Sequence, residues 1–179
     1  MEIKTNGKAN SSATNPAKQD QTSGELQLVS FHVGQEEFCL EILRVQEIIR
    51  IQQLTRVPNS PDAMDGVMNL RGKIIPVVAL RKRFGLERLP YDKQARIVVI
   101  EVKGTVLGLI VDSVLEVLRI PADTVEPPPH LGKVRQEYVS GVGKVGDRLL
   151  ILLDVDRLVN PEGLMSTQPE QDVPELVKE

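Results

Sequence analysis

The chain has 179 residues, 41% of them apolar and 26% charged, with 22 Lys and Arg against 25 Asp and Glu for a net charge of −3. This is the composition of a folded globular chain, and it lacks the basic surplus of a nucleic-acid binder. Aromatics at 3% with no Trp leave few stacking platforms, and one Cys with two His allows neither an intrachain disulfide nor a usual zinc set.

Residues 1–25 are rich in Asn, Ser, Thr, Gln and Lys without apolar periodicity and read as a disordered tail. The N-terminus has no apolar core of a secretory signal, and runs such as Leu149–Leu153 are far too short to span a bilayer. A cytoplasmic protein is expected. The folded part is 26–160, and 161–179 form an acidic, Pro-containing C-terminal tail.

Within the folded part strand signals dominate. Residues 26–33 place Val29, Phe31 and Val33 on one face at period two, and Gly34-Gln35 closes them as a turn. Residues 73–80 form an apolar strand in which Pro76 calls for a bulge or an edge. Residues 95–102 form a more buried strand closed by Lys103-Gly104, and 148–153 another. Helix is expected only as short pieces around Pro61–Met64, around Leu80–Phe84, and at 154–159, where Asp154 suits a helix start.

An internal repeat organises these elements. A shift of 69 residues lays 26–51 over 95–120, matching Val45 with Val114, Glu47 with Glu116 and Arg50 with Arg119. A shift of 75 lays Gly66-Val67 over Gly141-Val142 and the strand from Ile74 over that from Leu149. The six extra residues fall in the linker with Pro127-Pro128-Pro129, where an insertion disturbs least. The expected architecture is all-β, two similar units at 26–94 and 95–160 of about five short strands each. Strands this short with turns this frequent favour small barrels, with strand exchange between the units left open.

Chemistry is sparse. Gly141–Gly146 matches G-x-G-x-x-G, but it leads into a strand and not a helix, so a turn with positive-φ glycines is the reading. His32 and His130 are far apart, Cys39 sits in an apolar stretch, and Asp154 with Asp156 are better explained by capping. No nucleophile–base pair emerges, so no catalytic residue, metal or cofactor is assigned. What stands out is Arg71 in Asp65–Gly72, between apolar residues and a glycine. Its candidate partner is Glu47, and the sequence leaves open a structural ion pair or an arginine presented for recognition.

Taken together, Phe31–Phe38, Ile42–Ile48, Gly66–Gly72 with Ile75-Pro76-Val77, Gly108–Asp112 and Gly146–Leu152 resemble the CheW family of chemotaxis coupling proteins. The resemblance covers about 26–160 and implies two SH3-like barrel subdomains around a shared core, without enzymatic activity. It implies an adaptor between the cytoplasmic tip of methyl-accepting chemoreceptors and the regulatory domain of the histidine kinase CheA. A receptor-binding groove would be lined by Val45, Glu47, Gly66 and Arg71 from the first unit and Gly108, Val114 and Val117 from the second. The kinase-docking residues are not assigned.

Two departures stand out, Phe38-Cys39 where relatives carry Tyr-Gly, and Ala79 where an Asp would cap the helix at Leu80. Longer relatives, a CheV with a receiver domain or CheA itself, are disfavoured by the short tails. The competing class, a β-barrel that binds carbohydrate or oligonucleotide, is disfavoured by the acidic balance and scarce aromatics.

Overall fold

The computed structural model describes residues 24–129 and 136–159. The first repeat contributes β1 (Glu25–Val33), β2 (Glu36–Glu41), β3 (Val45–Arg50), β4 (Met64–Leu70), β5 (Lys73–Ala79) and the one-turn helix α1 (Leu80–Arg83). The second contributes β6 (Arg96–Val102), β7 (Thr105–Val111), β8 (Ser113–Pro121), β9 (Val125–Glu126), β10 (Val139–Val145), β11 (Arg148–Leu153) and α2 (Val155–Leu158). The shift of 75 maps β4 onto β10 and α1 onto α2 residue for residue. The repeat read from the sequence is a repeat of elements.

The strands assemble into a six-stranded sheet, β8-β1-β2-β11-β10-β9, and a five-stranded sheet, β3-β6-β7-β5-β4. Each sheet takes strands from both repeats. The chain leaves β2 in one sheet and enters β3 in the other through a 3-10 turn at Ile42–Arg44, and it crosses back between β7 and β8. Period-two alternation then supplies three apolar clusters. On β6, Ile97 and Val99 point into the five-stranded barrel with Met68, Ile75, Val77 and Ile110. Val98, Ile100 and Val102 point the other way, into a core shared with Phe31, Phe38, Leu40, Leu107, Leu109 and Leu153 from both sheets. Leu28, Cys39, Ile120, Leu150 and Leu152 fill the six-stranded barrel. Two SH3-like barrels thus pack back to back on a third, shared core.

Three local expectations are corrected. Pro61–Met64 makes a single turn, Met64 N–H to Pro61 C=O at 2.9 Å, because β4 pairing with β5 takes over at Met64. Gly141 and Gly143 lie inside β10, and only Gly146 has positive φ, at 59°. Gly141 is needed for close approach, since a Cβ there would stand 2.5 Å from Val125 Cγ1. Pro76 lies in the interior strand β5 rather than at an edge, and the parallel ladder to β7 starts only at Val77, just past the residue that lacks a donor. The cap readings hold. Asp154 accepts from the N–H groups of Asp156 and Arg157 at 3.0 and 3.2 Å, while Ala79, its counterpart, offers α1 no side-chain cap.

Candidate functional site

A single row crosses the five-stranded sheet. Glu47 on β3 faces Val99, Val99 faces Gly108, Gly108 faces Val77, and Val77 faces Gly66 on β4. The strands β3 and β4 are the two edges of this sheet, and a side-chain contact links the β4–β5 turn to β3. That turn is Arg71-Gly72, both at positive φ (52° and 85°), the mirror-image geometry that suits hairpins. Asn69 Oδ1 accepts the Gly72 N–H at 2.8 Å and fixes the turn. From it Arg71 Nη2 donates to Glu47 Oε2 at 2.9 Å, so the ion pair expected from the sequence exists and closes the barrel. The Arg71 side chain is 78% exposed against 23% for Glu47. Among the described residues Glu47 is its one hydrogen-bonded partner, which leaves most of the guanidinium fork facing solvent.

The other expected groove residues fall into two sets. Gly66 and Gly108 are buried, and their missing side chains serve the backbone. A Cβ on Gly66, at φ 152°, would lie 2.6 Å from the Thr55 carbonyl oxygen, and one on Gly108 would lie 2.7 Å from Ile97 Cγ2. Val45 and Val114, equivalent under the repeat, both pack half-buried against the shared core from opposite sheets. Val117 stands on β8, the edge of the six-stranded sheet, with 56% of its surface exposed. The structure therefore joins Glu47 and Arg71 directly, sets Gly66 and Gly108 in the row that starts at Glu47, and places Val114 and Val117 on the other sheet.

Three charged clusters were not singled out by the sequence. Arg148, at the start of β11, donates through Nε to Glu37 Oε2 at 3.1 Å and through Nη1 to Glu116 Oε1 at 2.7 Å, with Nη2 also on Glu37. This Arg148 bond holds the Glu37 carboxyl below its ordinary range although burial opposes it. Arg81 forms a two-pronged pair with Asp112 at 2.8 and 2.7 Å, and Asp112 also accepts the Gly34 N–H at 2.8 Å. Asp65, its side chain 3% exposed, lies 2.8 Å from Lys82 Nζ and accepts the Tyr91 hydroxyl. Burial alone would raise Asp65, but Lys82, Tyr91 and Arg88 outweigh it and the carboxyl is held low. Tyr91 is pushed up by its burial and by Asp65. The one available signal was the Glu47–Glu116 match, which points to Glu116 but not to its arginine, because the repeat lays Arg71 over Gly146.

Cys39 is buried and its thiol is pushed up to about 12 by burial, so it behaves as a small apolar residue. His32 is half-buried, and His130 lies outside the described residues. Among the described residues no group of three or more His, Cys, Asp or Glu is placed to hold a metal ion, and no helix is long and apolar enough to cross a membrane.

Fold and turn together define a class: paired SH3-like barrels with a charged, outward-facing hairpin at the closure of one of them. The chain is 39% identical to the chemotaxis protein CheW of Klebsiella aerogenes over 74% of its length and 80% of the relative's. It is 32% identical to CheW of Helicobacter pylori over 82% of this chain and 88% of that one. The crystal structure of the scaffolding protein TtCheW from Thermoanaerobacter tengcongensis superposes with a TM-score of 0.71 at 35% identity, covering 78% of this chain and 90% of that chain. The CheW-like domain family matches residues 27–162, and the chain belongs to the CheW family.

Proposed function

We propose that this protein is the adaptor that couples methyl-accepting chemoreceptors to the histidine kinase CheA. In this reading it has no catalytic activity of its own and works in the cytoplasm, recruited to receptor arrays at the inner face of the membrane. Membership of a chemotaxis scaffold family supports the adaptor role. The observation that carries the receptor-binding surface is Arg71, held by Glu47 on a two-residue turn and 78% exposed. An arginine anchored at one donor and open at the others is suited to a polar or acidic helix surface. Val45, Glu47, Gly66, Gly108, Val114 and Val117 complete the proposed surface, the glycines by shaping backbone and the valines by apolar contact. The CheA regulatory domain, whose fold is of the same kind, would dock barrel to barrel elsewhere.

The test is Arg71→Ala, read in three ways. Melting temperature should change little, since an exposed ion pair contributes roughly 0–1 kcal/mol. Affinity for a receptor-tip fragment should fall by about 2 kcal/mol, the scale of a well-placed interface arginine. Affinity for the CheA regulatory domain should hold. Receptor binding unchanged within error would end the assignment of Arg71 to that surface.

A further inference from the structure

The two barrels build the same device at the start of β4 and of β10, with different residues. In β4 the register slips between Met64, opposite Val78, and Gly66, opposite Val77, so Asp65 is the extra residue of a β-bulge. In β10 it slips between Val139, opposite Leu153, and Gly141, opposite Leu152, so Ser140 is the extra residue. After each bulge a glycine lets another segment cross close by. Thr55 pairs with Val67 through two hydrogen bonds of 2.9 Å beside Gly66. β9 does the same beside Gly141.

The polar anchors differ. Ser140 Oγ donates one neutral hydrogen bond to the Leu152 carbonyl at 3.2 Å. Asp65 gathers Lys82 from α1 at 2.8 Å, Arg88 at 3.6 Å, and the hydroxyl of Tyr91, the last two from the connection between the repeats. Burying a carboxylate is costly unless it is fully paired. The six-stranded barrel shows that bulge, glycine and crossing segment form with a serine alone. The charged anchor is therefore an addition, present in the barrel that carries Glu47 and Arg71. It sits at the end of the row that starts at Glu47, and from it β4 runs on to the Arg71 turn.

We infer that Asp65 is a positioning residue for recognition: tied to α1 and the inter-repeat connection, it fixes the bulge that sets where β4 delivers Arg71 against Glu47. This rests on the reading of Arg71 as partner-facing, and the experiment separates the two. Asp65→Ser imports the anchor of the other barrel and is expected to fold. It should shift the backbone amide signals of Glu47, Arg71 and Gly72 in nuclear magnetic resonance spectra. It should weaken binding of a receptor-tip fragment at least fivefold, and Asp65→Glu should restore most of that. In an Arg71→Ala background Asp65→Ser should cause no further loss, because it acts through Arg71. If Asp65→Ser does not fold, Tyr91→Phe, which removes one hydroxyl, should give smaller changes of the same kind.

An equal fivefold loss in the Arg71→Ala background would overturn the inference, as would amide signals at Arg71 and Glu47 that stay in place. If the wild type ignores the fragment, or Arg71→Ala binds it as well as wild type, the proposed function fails instead. The amide shifts then still decide whether Asp65 positions Arg71.

Discussion

Each repeat carries an arginine at or just past the turn between its last two long strands, Arg71 between β4 and β5 and Arg148 at the start of β11, and the two are partnered differently. Arg148 serves two carboxylates, and one of them, Glu37, has only 10% of its side chain exposed. Arg71 serves one, Glu47, and stays 78% exposed. In the first case the guanidinium donors are committed to the fold, and loss of the arginine strands a largely buried carboxylate. In the second the fold needs little from the arginine, most of which faces solvent. The same local architecture thus yields one arginine clamped by two carboxylates and one held by a single carboxylate and largely exposed, the one proposed for recognition.

The largest contrast should come from the bulge glycines. Gly66→Ala forces a Cβ to 2.6 Å from a backbone oxygen at φ 152°, where side chains are rarely tolerated. A loss of about 3 kcal/mol in urea unfolding is expected. Gly141→Ala meets chiefly the Val125 side chain at 2.5 Å, which can turn aside, and should cost about half as much. Equal losses would mean that the two crossings are packed alike.

Next come the arginines themselves. Arg148→Ala should cost about 2 kcal/mol of stability, because hydrogen bonds to a carboxylate with little access to water are lost. It should leave receptor-fragment affinity unchanged. Arg71→Ala should do the reverse. A stability loss for Arg71→Ala as large as that of Arg148→Ala would erase the distinction.

Acid should act on both barrels. Glu37 and Asp65 are held below their ordinary values of 4.5 and 3.8, so the folded state keeps both ionised where the unfolded chain takes up protons. Their contribution is complete above the ordinary values and is lost as pH falls through the lower folded ones. The urea midpoint should therefore be steady down to about pH 5 and fall below about pH 4. Arg148→Ala should blunt that fall by removing the main cause of the Glu37 depression.

The smallest contrast concerns the helix caps. Asp154→Ala should cost about 1 kcal/mol by freeing the N–H groups of Asp156 and Arg157. After it, α2 would start as α1 already does, from an alanine without a cap.

Much of this was legible in the residues. The alternation of Val29, Phe31 and Val33 and the apolar run at 148–153 announced strands, and the shifts of 69 and 75 announced the repeat. The Arg71–Glu47 pair was also foreseen, because a lone arginine among apolar residues needs a counter-charge. The Asp65 cluster was not, since Asp65, Lys82, Arg88 and Tyr91 come from three elements whose meeting no local pattern records. Arg148 escaped for a related reason: its carboxylates lie 111 and 32 residues away.

By itself the sequence determined the strands, the turns and the duplication, because period-two alternation and glycine-marked turns are local properties of the chain. It also carried the family motifs over nearly the whole folded part. The exchange of strands was decided only in three dimensions. Each half of the chain has strands enough for a barrel, yet β3 crosses to pair with β6 and β8 crosses to pair with β1. Apolar faces on both sides of β6 and β7 need two cores, one inside a barrel and one between barrels. Only the assembled pair of sheets covers both faces. The same assembly decides which arginine is clamped between two carboxylates and which stays largely exposed, because exposure is a property of the packed molecule and not of the residue.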